Sequence, residues 1–237
     1  MPGPAEMSPK SPRDTYVPAR QAATEALRHD GLLPHQRAAR AAVPLLHTGA
    51  DEGEFLVPLL GVRWRVHWPH WTVAVAERPV APAEEHPPEE LILLHYLHQA
   101  DGTPLSGQWV QWRQLPGALA LGSSFDRVGS GQIAAAFGRS PEGFSVAAEA
   151  LGAMRHAPAT GSAYIVPALP RVPLLCTLWP GDEEIPASAG ICLDASAAHY
   201  LPAEDLVVLK GLAAQALVRA AKSRHGRGRR TCSAPGE

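Results

Sequence analysis

Residues 161–193 read GSAYIVPALPRVPLLCTLWPGDEEIPASAGICL. Runs rich in β-branched and aromatic residues at Gly161–Leu169, Val172–Trp179 and Ala189–Leu193 read as strands. Pro170-Arg171 and the loop Pro180–Pro186 punctuate them, which predicts antiparallel hairpins. If Trp179 faces Ser188, then Cys176 faces Ile191 and Cys192 faces Leu175. Cys176 and Cys192 then point to opposite faces and stay unbonded. About six residues of strand set the Asp182 loop and Asp194 roughly 20 Å apart, at opposite ends of this hairpin.

Upstream, Phe55, Val57 and Leu59 alternate before Gly61, and Trp64, Val66 and Trp68 alternate with Arg63, Arg65 and His67. With Trp71, Val73 and Val75 this predicts a three-stranded meander having one cationic face. Apolar spacing predicts helices from Val17 to about Arg28 and over Pro34–Leu46, Ser130–Phe137 and Pro141–Leu151. A helix opening at Glu89-Glu90 places Leu91, Leu94, His95 and His98 on one face. Ser140 is positioned to cap the helix at Pro141. A strand is expected over Gln108–Gln114. The long final helix opens at Pro202–Asp205 and carries the stripe Leu206, Leu209, Leu212, Ala213, Ala216, Leu217 and Ala220. Grouped strands with hairpin links favour α+β, an antiparallel sheet of meander and hairpin strands packed with helices.

Pro2, Pro4, Pro9 and Pro12 mark residues 1–14 as a disordered leader, and Pro79–Pro88 as a surface connector. Residues 222–237 hold Lys222, Arg224, Arg227, Arg229 and Arg230 against Glu237 alone, a basic tail without aromatic residues. That leaves 15–221 as one folded domain. The 237 residues are 46% hydrophobic and 19% charged, so a proper core is within reach. Net charge is −2, which argues against general binding to nucleic acid or anionic membranes. No run approaches the roughly 20 apolar residues of a membrane span. Three scattered cysteines, Cys176, Cys192 and Cys232, exclude a disulfide framework or a four-cysteine metal site. The expectation is a soluble cytoplasmic protein. Lysine occurs only at Lys10, Lys210 and Lys222, while Arg supplies the other cations.

Two polar clusters compete for a functional role. Asp182, Glu183 and Glu184 follow one another, so they point in different directions and read as a solvated loop rather than a metal site. Asp194, His199, Glu204 and Asp205 gather about a helix start. An Asp and a His in reach form a general-base pair; the competing reading is that these carboxylates cap amides and the helix dipole. His95 and His98 lack the spacing of a zinc helix. The six tryptophans read as sheet packing, with a pocket lined by them as the alternative. No phosphate loop, dinucleotide fingerprint or G-x-S-x-G is present.

Further residues carry a resemblance. His95-Tyr96-Leu97, Asp101-Gly102-Thr103-Pro104-Leu105-Ser106-Gly107, Trp109 and Arg113–Gly117 form a first block. Leu169–Pro173, Trp179, Gly181–Pro186, Asp194–Ser196 and His199–Leu206 form a second. Over roughly residues 15–220 the chain resembles the bacterial family known as domain of unknown function 3786. The resemblance marks Asp101, Gly102, Arg171, Trp179, Asp182, Glu183 and Glu184 as motif residues. Some members of that family join this domain to a cysteine-rich iron–sulfur module; this sequence resembles a stand-alone form, so no cluster, metal or other cofactor is carried over. The expectation is a binding or accessory module for a small cofactor or a redox partner, with Asp194, His199, Tyr200, Glu204 and Asp205 as candidate site. The alternative is a hydrolase or metal-assisted enzyme centred on Asp194 and His199.

Overall fold

The computed structural model describes residues 12–76, 87–157 and 161–228. Its first sheet is four-stranded and antiparallel, in the order β1 (Leu45–His47), β2 (Gly53–Leu59), β3 (Val62–Trp68), β4 (Thr72–Val75). The meander is as the alternation predicts, with Phe55, Val57, Trp64 and Val66 buried. β1 is an addition: the helix expected to reach Leu46 ends at Ala41, where Ala42 turns left-handed and frees Leu45 to pair with Phe55. Between β2 and β3, Leu60 and Gly61 both have positive φ, +50° and +80°. That turn matches the twist of a two-residue hairpin, and Leu60 offsets its strain by donating its amide to Ala168 O at 2.9 Å. The bond ties the first sheet to the second.

The second sheet runs β5 (Trp109–Val110), then β9 (Ser188–Asp194), β8 (Val172–Trp179), β7 (Ser162–Leu169) and β6 (Met154–Arg155), all antiparallel. The hairpin register holds: Trp179 faces Ser188, Cys176 faces Ile191 and Leu175 faces Cys192. Cys176 and Cys192 are free thiols; Cys232 lies outside the described residues. The strand expected over 108–114 is cut to two residues, because the chain turns into a 3₁₀ helix at Trp112–Gln114 that buries the Trp112 ring. Trp112 Nε1–H donates to Ala203 O at 2.9 Å, a bond a continued edge strand could not make.

Seven α-helices lie among the described residues: α1 (Pro12–His29), α2 (Pro34–Ala41), α3 (Pro87–Gln99), α4 (Ala118–Leu121), α5 (Ser130–Phe137), α6 (Pro141–Ala150) and α7 (Ala203–Gly228). α1 starts at Pro12, inside the expected leader, and residues 1–11 lie outside the described set. The connector of 79–88 lies outside it up to residue 86, and Pro87 already opens α3. α7 continues seven residues past 221, to Gly228; residues 229–237 are not described. α3 buries Ile92, Leu93, Leu94, Tyr96 and Leu97, most of its circumference rather than one stripe, because α1, α2 and α7 pack round it. Ser140 sits at the N-cap of α6 but its hydroxyl makes no capping bond. In α7 the predicted stripe is core, with Leu206, Leu209, Ala213 and Leu217 fully buried. It packs on α5, α6 and β7, so its N-terminal half stands against both the sheet and α3.

Candidate functional site

The expected site residues separate into four places. The first is the loop leaving α3, where Gly102 adopts φ +90° and lies against Arg40. Asp101 holds the turn by accepting the Thr103 amide at 2.8 Å. His199 Nδ1 lies 2.7 Å from Asp101 Oδ2 and 3.2 Å from Thr103 Oγ1, so His199 pairs with Asp101 rather than Asp194. Burial pushes the Asp101 carboxyl up, but the Thr103 and His199 bonds pull it down further, to about 2. Tyr200 is fully buried, its hydroxyl donating to Thr103 O and its ring 5.8 Å from that of Tyr96. Arg171, in the β7–β8 turn, joins this group by donating its amide to the Tyr96 hydroxyl at 3.2 Å. Its buried Nε has no hydrogen-bond partner.

Asp194 forms the second place. Its Oδ1 accepts from Ser106 N (2.9 Å), Ser106 Oγ (2.8 Å), Ser196 N (2.9 Å) and Ser196 Oγ (2.7 Å). Its Oδ2 accepts from Gly107 N at 2.8 Å. Burial raises the Asp194 carboxyl, yet the Ser196 and Ser106 bonds outweigh it and bring it to about 2. The carboxylate is spent on stapling the 106–107 loop to β9, which is the capping role.

The third place joins His95 and Asp205, 110 residues apart, at 2.5 Å with both side chains mostly buried. Glu204 beside it points to solvent. The fourth is the far end of the β8–β9 hairpin, where Asp182, Glu183 and Glu184 are all exposed and Trp179 is partly so. Asp182 accepts the amides of Glu184 (2.9 Å) and Ile185 (2.7 Å), which lowers its carboxyl. Register separates this end from Asp194 by the length of β9. Among the described residues, no group of three or more His, Cys, Asp or Glu is placed to hold a metal ion.

A site that sequence reasoning did not assemble lies where β5 ends, and it includes Trp109, Arg113 and Gln114 of the first motif block. Having left β9 after Val110, the chain opens a cleft of about 550 Å³ lined by Trp109, Gln111, Arg113, Gln114 and Cys192. Behind it stands Lys210, fully buried, donating to the carbonyls of Phe125 (3.3 Å) and Asp126 (2.9 Å). Its ammonium lies 6.0 Å over the Trp112 ring. Burial pushes the Lys210 amine down, opposed by the negative charge of Asp126. Asp126 in turn pairs through Oδ2 with Arg113 at 2.9 Å, while its Oδ1 is buried and without a hydrogen-bond partner. Burial raises the Cys192 thiol, and the charge of Lys210 works against that rise. A signal existed: in a chain that prefers Arg, Lys210 falls within an apolar helix stripe, between Leu209 and Leu212.

Residues 34–216 match the family described as Domain of unknown function (DUF3786). The chain belongs to that family. No curated protein and no solved structure matches it significantly. The DUF3786 match spans α2 to the middle of α7, and so holds both sheets, the Asp101–His199 pair, the Asp194 staple and the cleft. No helix among the described residues is long and apolar enough to cross a membrane.

Proposed function

We propose that this DUF3786 domain is a binding or accessory module that holds a small anionic cofactor in the Trp109–Cys192 cleft. A redox or cofactor-handling partner is its user. The observation that carries the reading is a buried, incompletely matched lysine behind a cleft of ligand size. Lys210 has three N–H donors and uses two, on backbone carbonyls. Arg113 on the cleft wall pairs with Asp126, and the buried Lys210 lies behind the wall within reach of the charge of Asp126, so these three groups together carry one net positive charge. Cations in such surroundings raise the local concentration of anions. About 550 Å³ suits a small molecule rather than a macromolecule. Trp109 supplies a flat apolar face, Gln111 and Gln114 supply amides, and Arg113 offers a planar fork to a carboxylate or phosphate.

Native mass spectrometry of the protein purified from its own host tests this. The expected spectrum shows a retained small molecule whose occupancy falls in Arg113→Gln and in Lys210→Met. A bare chain in every preparation, or a ligand indifferent to both substitutions, contradicts the reading.

A further inference from the structure

A second recess, of about 380 Å³, lies between α1, α3 and α7 and shares no residue with the cleft. Its walls include Tyr16 and Ala19 of α1, Pro88 and Leu91 of α3, and Val208 of α7. Pro87 and Pro88 stiffen one wall, since their ring torsions are fixed before any ligand arrives. The lining is apolar with two exceptions, the Tyr16 hydroxyl and the carboxylate of Asp205.

These two polar groups differ in what is left to them. Tyr16 donates to Glu90, and Glu90 also takes Arg20 Nε at 2.7 Å. Arg20, four residues on from Tyr16 in α1, is thereby matched by an acid of its own. Asp205 is 7% exposed and receives the His95 imidazole at 2.5 Å. It stands in the first turn of α7. Among the described residues, no Lys or Arg lines the recess. A carboxylate in an apolar concavity is complementary to a cationic group carried on an apolar body.

We propose that the α1–α3–α7 recess is a binding site for a small organic amine. Its apolar body packs on Leu91, Ile92 and Val208, and its ammonium donates to Asp205. The Asp205–His95 bond fixes the carboxylate so that binding demands no rearrangement of the acid. The site stands independently of the cleft reading: it uses different residues and a ligand of opposite charge.

Calorimetry and amide chemical-shift mapping on the full chain test it, with phenethylamine as probe and 2-phenylethanol and 3-phenylpropionate as its neutral and anionic counterparts. The amine should bind saturably, with shifts centred on Leu91, Ile92 and Val208, and about tenfold or more tighter than the alcohol, the worth of one charge-assisted hydrogen bond. The propionate should not bind there. Asp205→Asn should erase the difference between amine and alcohol. Val208→Trp, at a partly exposed position on α7, should fill the recess and abolish binding while leaving the melting temperature unchanged. Should Asp205→Asn fail to fold, the Val208 variant and the alcohol comparison still decide. Equal affinity for amine and alcohol, amine binding that survives Val208→Trp, or no saturable binding at all overturns the proposal.

Discussion

Asp194 and Lys210 are both fully enclosed charges, one at the end of β9 and one in α7, yet their surroundings differ in kind. Asp194 is saturated: five donors from Ser106, Gly107 and Ser196 converge on its two oxygens. Lys210 has two backbone carbonyls for three protons, and Asp126 nearby keeps an oxygen without a partner. A saturated buried charge is a staple whose removal orphans its donors. An unsaturated one beside a cleft adds little to the fold and leaves electrostatic potential for a ligand. The two sites therefore predict opposite balances of stability against binding.

The largest effect expected is from Asp194→Ala. Removing one side of a buried, charge-assisted network costs about 3–5 kcal/mol, comparable to truncating the core residue Leu209 to Ala at about 2–5 kcal/mol. Urea denaturation should show a shifted midpoint with an unchanged slope. A cost no larger than that of a surface substitution would remove Asp194 from its role as staple.

The pH dependence of that cost sharpens the contrast. The folded carboxyl at about 2 lies below its unfolded value of 3.8, so the contribution is fully present above pH 4 and lost as pH falls toward 2. The stability gap between wild type and Asp194→Ala should shrink by about 2 kcal/mol over that window. Lys210 runs the other way. Its folded pKa is depressed, so between that value and 10.5 the unfolded chain binds more protons and stability rises with pH. Measured as a difference from Lys210→Met, wild type should gain stability on going alkaline; a flat difference would show that the lysine does not feel its burial.

Lys210→Met itself should cost only about 1–2 kcal/mol, because an apolar isostere recovers burial while two carbonyls lose their donor. A loss equal to that of Asp194→Ala would erase the distinction between the two charges. The smallest effect belongs to Asp182, which also accepts two backbone amides but in full solvent. Asp182→Asn should leave the melting temperature unchanged within the error of a thermal scan, since water replaces what the side chain supplied.

The sheets were legible because their signals are local. Alternation at Phe55–Leu59 and Trp64–Trp68, and the register set by Trp179 and Ser188, depend on neighbours along the chain. What the sequence hid was long-range competition. The strand pattern at Gln108–Gln114 lost to burial of one tryptophan under α7, and that loss made the cleft. His199 lay within six residues of both Asp194 and Asp205, but its partner, Asp101, comes from 98 residues away. Asp205 likewise pairs with His95 across 110 residues. Residue type marked these side chains as candidates, whereas their pairing required the packing of α3 against α7.

The proposed binding of a small anion in the cleft beside Lys210 is open to measurement. Its most direct test is a titration of 1-naphthoate into the full chain, following the amide resonances of Gln111, Arg113 and Cys192, with neutral 1-naphthamide as the control. Saturable shifts are expected at those residues for the anion, weakened about tenfold or more in Lys210→Met and Arg113→Gln. Naphthamide should bind weakly or not at all. Absence of saturable shifts at the cleft, or equal binding of the amide and the anion, would contradict it.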